Sequence, residues 1–344
     1  MRISPIVLWG LGLLAYAVTP AWADQGRFNE PGNILITDQF NNRVIEIDRD
    51  KHIVFSFGSN DPDLCNPGPG AIIAPNDVER LAGGLTLIAG TGTSTCPDNR
   101  VIVIDRRGRI VFQYGQAGVA GSGPNELNTP VFALQTPHGN FLITDQANNR
   151  IILVDRHKRI RFSYGPTSGP GALNNPNSAE LLANGHILIA DENNSRVIEI
   201  NRRGKIVFEY STGLNIVAFA SRLPNGDTLI TDSGNNRVVE INAAKQVVFT
   251  YATNKEKGSN ANPNPTRAVR LRNTETLIAD QFNDRILIIT QGKAKVLQYG
   301  MLNVVGNGPN RLNAPYSAVV IDDYTGLTPP PPFDFEDLED ELAD

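Results

Sequence analysis

The chain has 344 residues, 19% of them charged, and a formal net charge of −5. Seven acidic residues crowd into positions 334–344, and setting these and Arg2 aside leaves 30 basic against 29 acidic residues. A body so close to neutral lacks the basic face that a nucleic-acid partner requires, and two cysteines with four histidines are too few for a four-thiolate or histidine-rich metal centre.

In chain order, the first expected element is a leader. Arg2, the apolar stretch Ile6–Val18 and "AWA" before Asp24 have the layout of a cleavable secretory signal over 1–23. The stretch is shorter than the about 20 residues of a comfortable membrane span, and no other segment approaches that length. The expectation is a secreted or periplasmic protein with no membrane span. Cys65 and Cys96 then face an oxidising compartment, where an even count favours a disulfide.

The body, 24–323, repeats itself. "NNRVIEID" at 41–48 recurs as "DNRVIVID", "NNRIILVD", "NSRVIEIN", "NNRVVEIN" and "NDRILIIT", aligned on Arg43, Arg100, Arg150, Arg196, Arg237 and Arg285. The arginines lie 57, 50, 46, 41 and 48 residues apart, a period typical of propeller blades and of some helical arrays. Short runs rich in Val, Ile, Thr, Phe and Tyr, separated by "PNG", "PHG" and "RRG" turns, select strands. One unit shows the pattern whole: "PVFALQT", "FLITD", "RIILVD" and "IRFSYG" are four antiparallel strands joined by "PHGN", "QANN" and "RHKR". The first unit lacks an opening strand, whereas "LNAPYSAVVID" near the end of the body has the form of an opening strand with no partners after it. The two ends complement each other, so the expected fold is an all-β, six-bladed propeller whose C-terminal strand completes the N-terminal blade. Beyond it, 324–344 combines a proline spacer with an acidic segment.

In five units an Asp stands five residues before the Arg: Asp38, Asp145, Asp191, Asp232 and Asp280. The Asp ends the second strand and the Arg begins the third. Asp in such turns accepts local amides, and the five-donor fork of Arg suits a carboxylate or several carbonyls of an adjacent blade. A repeated geometrical need explains these residues better than six copies of one catalytic group would.

"GSGPNELNTPVFALQTPHGNFLITDQANNRIILVDRHKRIRFSYG" resembles an NHL-type repeat, with its glycine-rich lead-in and its D-x-x-N-N-R hairpin, and the resemblance covers about residues 30–323. It implies a six-bladed propeller; related propellers include binding scaffolds, calcium-dependent lactonases and a peptide-amidating lyase. The second unit departs from the pattern. Gly90 replaces the Asp, an insertion carries Cys96, and the preceding loop carries Cys65. Both segments belong on the same face of such a ring, which pairs the two cysteines.

Function is then expected where the copies differ, in the segments entering the innermost strands at the channel mouth. Aligned, these read Asn76-Asp77, Val131-Phe132, Asn177-Ser178, Ile216-Val217, Thr266-Arg267 and Tyr316-Ser317. Asn76, Asp77 and Asn177 offer oxygen ligands of the kind calcium takes, Arg267 suits an anion, and Phe132 and Tyr316 offer aromatic faces. His52, His138, His157 and His186 fall in or beside hairpin turns, and no Ser-His-Asp set, zinc motif or phosphate loop is present. The expected function is a monomeric, non-catalytic binding module for a protein, peptide or small molecule, needing no cofactor. The alternative is a calcium-dependent hydrolase, lactonase or lyase with its site at the channel mouth.

Overall fold

A computed structural model describes residues 27–65 and 71–323; the leader expected at 1–23 and the tail at 324–344 lie outside the described residues. Six four-stranded antiparallel sheets account for the described strands. Blade 1 comprises Ile34–Asp38, Arg43–Ile47 and Ile53–Gly58, with Pro315–Val320 as its innermost strand. Blade 2 runs through Pro75–Arg80, Thr86–Gly92, Pro97–Ile104 and Ile110–Gly115, and blade 3 through Pro130–Gln135, Phe141–Asp145, Arg150–Val154 and Ile160–Tyr164. Blade 4 comprises Pro176–Leu181, Ile187–Asp191, Arg196–Ile200 and Ile206–Tyr210. Blade 5 comprises Val217–Arg222, Thr228–Asp232, Arg237–Ile241 and Val247–Ala252, and blade 6 Arg267–Arg270, Thr276–Asp280, Arg285–Ile289 and Lys295–Tyr299. The ring closes as expected: Ile34, Leu35 and Ile36 pair with Val320, Val319 and Ala318.

The second strands are buried on both faces, as their unbroken apolar runs require when each sheet packs between two others. Apolar clusters straddle the seams; Ile36 and Ile45 of blade 1 meet Leu277 and Ile286 of blade 6. The outermost strands are the least buried, leaving Val111, Val207, Val247 and Val296 half exposed. Cys65 and Cys96 form a disulfide with Cα atoms 5.2 Å apart, closing 31 residues of sequence separation; loop-closure entropy makes this worth about 3–4 kcal/mol.

The repeated hairpin has a physical reason for each letter. After the Asp, three residues make a turn of 3-10 helix, and the next residue takes the left-handed conformation: Asn42, Asn149, Ser195, Asn236 and Asp284 have φ between 50° and 55°, a region that Asn and Asp tolerate. The Arg Nε then donates to the Asp carboxylate of its own hairpin at 2.6–2.8 Å in all five units. In four of them the other carboxylate oxygen accepts a backbone N–H from the loop entering the blade. The guanidinium reaches carbonyls of that same loop, as Arg150 does at Ser122 and Arg196 at Pro170. The arginine therefore fastens its own blade rather than the neighbouring one.

The stitch between blades is the left-handed residue just before it. Asn42 Oδ1 accepts the N–H of Ala74 and Asn149 Oδ1 that of Asn175, each at the threshold of the next blade. Asn99, Ser195, Asn236 and Asp284 do the same for Thr129, Ile216, Asn264 and Ala314. All six seams carry this bond.

Blade 2 solves the missing Asp by transfer. Asp98, two residues before Arg100 on the third strand, supplies the carboxylate instead, accepting from Arg100 Nε at 2.5 Å and from the N–H of Ile73 at 2.7 Å. A Cβ on Gly90 would lie 2.9 Å from Asp98 Cγ. Gly90 is bare because the replacement carboxylate fills the vacated space.

Candidate functional site at the channel mouth

The starts of the innermost strands, the inter-blade loops and the Asp–Arg hairpins share one face of the ring, here called the hairpin face. The structure brings five of the proposed mouth residues, Asn76, Asp77, Phe132, Asn177 and Arg267, to the channel as buried side chains, and Tyr316 as a partly exposed one. They form two layers.

In the lower layer Arg267 Nη1 is ion-paired with Asp77 and donates to Ser317 Oγ at 2.6 Å, while Ser317 Oγ donates to Asp77 at 2.8 Å. The guanidinium carbon lies 5.3 Å from the Phe132 ring centroid and 5.0 Å from that of Phe219. Two aromatic faces thus complement a buried cation whose charge is met by one carboxylate. Burial pushes the Asp77 carboxyl above its usual range, against the pull of Arg267, Ser317 and the Ala133 amide. Glu79, two residues beyond Asp77 on the same strand, and Glu180 of blade 4 are held up to about 8 by burial; each accepts an amide of the adjoining innermost strand, from Gln135 and Arg222.

Phe219 was not among the expected residues. In the register of blade 5, Val217 faces Asp232 as Pro130 faces Asp145 in blade 3, so Ala218 and Phe219, not Ile216 and Val217, hold the channel positions. Blade 5 has no proline to mark the strand start, and the alignment slips by one residue. The left-handed φ of 52° at Ile216, matching 57° at Thr129, is the structural marker.

The upper layer is a chain of amides. Gln281 Nε2 donates to Gln39 Oε1 at 2.9 Å, and Gln39 Nε2 to Asn76 Oδ1 at 2.6 Å. The Asn76 side chain also bonds Tyr316, whose hydroxyl accepts from Asn177 Nδ2 at 2.7 Å. Asn177 and Gln146 both donate to Glu192 Oε2 at 2.8 Å. Burial, then the nearby Glu192 charge, raises the Tyr316 phenol well above its ordinary value. Gln39, Gln146, Glu192 and Gln281 were missed in the sequence although a signal was present. Each directly follows the repeated Asp, where a purely structural turn has no need of a long amide or acid.

The chemistry of this set does not fit a calcium cage. Asp77 is committed to Arg267, Ser317 and Ala133 N, and the channel presents a guanidinium where a cation would sit. Among the described residues the one gathering of three carboxylate or histidine ligands is Asp48, Asp50 and His52. In it Asp48 Oδ1 already accepts the amides of Asp50 and His52.

No family profile matches the chain, and no curated protein matches it in sequence. Solved structures do match in shape. A streptogramin B lyase is 16% identical with a TM-score of 0.54, over 81% of this chain and 82% of that one. Virginiamycin B lyase from Staphylococcus aureus is 15% identical with a TM-score of 0.54, over 80% and 83%. A protein of unknown function from Bacteroides caccae is 17% identical with a TM-score of 0.58, over 80% and 97%. At these identities the likeness establishes the propeller fold and nothing finer. No helix among the described residues is long and apolar enough to cross a membrane.

Proposed function

We propose that the protein is an exported propeller of the NHL type that works as a binding module, with its recognition surface at the channel mouth on the hairpin face. One observation carries this reading: unlike side chains from blades 1, 2, 3, 4 and 6 converge there in a hydrogen-bonded amide layer rimmed by partly exposed Gln146, Glu192 and Tyr316. Such a layer is held in place before any ligand arrives, which lowers the ordering cost of binding. Its donors and acceptors suit an uncharged polar group such as a peptide amide. The disulfide supports the export reading, because such bonds persist in oxidising compartments.

The test is saturation-transfer NMR with a panel of N-acetylated peptide amides on the full chain. Binders should be lost in Gln146→Ala/Tyr316→Phe while the melting temperature holds. A panel bound equally by both proteins defeats the reading. The likeness in fold to the streptogramin lyases supports a lyase as the second reading. Turnover of an ester or amide substrate would favour it over simple binding.

A further inference from the structure

The opposite face of the ring carries the turns between first and second strands. There, three seams share one device. The last residue of the innermost strand is an arginine, Arg80, Arg222 or Arg270, ion-paired with Glu46, Glu199 or Glu240 of the preceding blade at 2.5–2.9 Å. Each guanidinium also lies 5.0–5.4 Å from the aromatic ring that pairs with that glutamate across the sheet, Phe55, Phe208 or Phe249. Arginine fills the space over the ring and closes the seam.

At the seam of blades 3 and 4 both partners change together. By register Leu181 stands where the arginine would be and Leu153 where the glutamate would be, with Phe162 as the aromatic. Leucine is shorter than arginine, and the seam opens into a cleft of about 920 Å³ lined by Leu153, Phe162 and Leu181 and running past Glu199 of blade 4 to Arg222 of blade 5. Its size and mostly apolar walls are those of sites for small organic ligands. At the seam of blades 2 and 3, by contrast, Phe112 stacks on Phe141 at 4.4 Å.

The polar part of the cleft is positive. Arg161, Arg202 and Arg222 line it against Glu180 and Glu199, and Arg161 is itself paired with Asp155 at 2.8 Å. Glu199 is shared between Arg222 and His186 at 2.9 and 2.7 Å. Arg202 is exposed and forms no ion pair with a described residue. Glu180 is buried at the inner end, where desolvation holds its carboxyl up to about 8.

We infer that this cleft binds an amphipathic carboxylate, its hydrocarbon chain lying along Leu153, Phe162 and Leu181 and its carboxylate facing Arg202 and Arg222. The site is separate from the channel mouth, and neither reading depends on the other. Decanoate titrated into the full chain by calorimetry should show one saturable site at neutral pH, and uncharged decanol should bind at least fivefold more weakly. Leu153→Glu/Leu181→Arg installs the pair already present at three seams and should close the cleft, weakening decanoate at least tenfold with melting unchanged. If that double variant does not fold, Leu181→Trp fills the same space without charge and should give the same loss. Undiminished binding in a folded cleft-filling variant, equal affinity for decanol, or no saturable site overturns the inference. So does a tenfold gain in decanoate affinity on removing Tyr324–Asp344, which would make the acidic tail the occupant.

Discussion

The two faces of this ring use the same chemical pair, an arginine and a carboxylate, to opposite effect. On the hairpin face, Arg267 and Asp77 meet across the channel from positions 190 residues apart, and two phenylalanines enclose the cation. On the turn face, the pair recurs at three of the six seams, and a cleft opens at the seam of blades 3 and 4, where two leucines stand in its place. A buried ion pair in a propeller thus acts as a plug: where it is present the gap is filled, and where leucines replace it the gap becomes accessible. Unlike residues mark the first location, while an exception to a repeat marks the second.

The comparison presupposes a closed ring, and breaking the ring is the largest effect expected. Deleting Leu312–Asp344 removes the innermost strand of blade 1 and bares the edge of Ile34–Asp38. Loss of the cooperative thermal transition is expected, whereas deleting only Pro329–Asp344 should leave melting nearly unchanged. Similar melting of the two truncations would mean that the strand is dispensable.

Next in size is the plug itself. Arg267→Ala leaves Asp77 buried without its cation and should lower unfolding free energy by about 3–5 kcal/mol in denaturant titrations. The double change Asp77→Leu/Arg267→Met removes both charges and should recover most of that loss. A single variant as stable as the parent would show that the pair does not fill the channel as described.

The smallest effect concerns pH. Glu79 and Glu180 keep their protons in the folded state up to about 8, against an ordinary 4.5. The folded state binds more protons than the unfolded between these values, so stability should fall as pH rises from about 4.5 through about 8 and level off above it. Glu180→Gln should flatten this fall, seen as a smaller stability difference between pH 5 and pH 8 in chemical denaturation. A slope that is unchanged, or of opposite sign, would mean the carboxyl is ionised throughout.

What was legible in the sequence had a local cause. The turn chemistry of "PHGN" and "QANN", the strand period and the Asp-to-Arg spacing are all set within a few residues, so the blades and their number followed. The unpaired first strand and the surplus last strand carried the ring closure, because an unsatisfied edge must find a partner. The loops bearing Cys65 and Cys96 could be placed once the blades were known. Three features escaped. Asp98 hides because its carboxylate takes the place of a side chain on another strand. Phe219 hides because blade 5 lacks the marking proline. The amides at Gln39, Gln146 and Gln281 hide inside a motif whose other letters are structural.

The sequence by itself determined six antiparallel blades, their closure and the disulfide, since backbone conformation and edge pairing are short-range demands written in each repeat. Only the tertiary structure decided that Asp77 would be spent on Arg267, and that Leu153 and Leu181 would fall opposite one another at a single seam. Those contacts join residues of different blades, and blade geometry, which no local pattern encodes, fixes the distance between them.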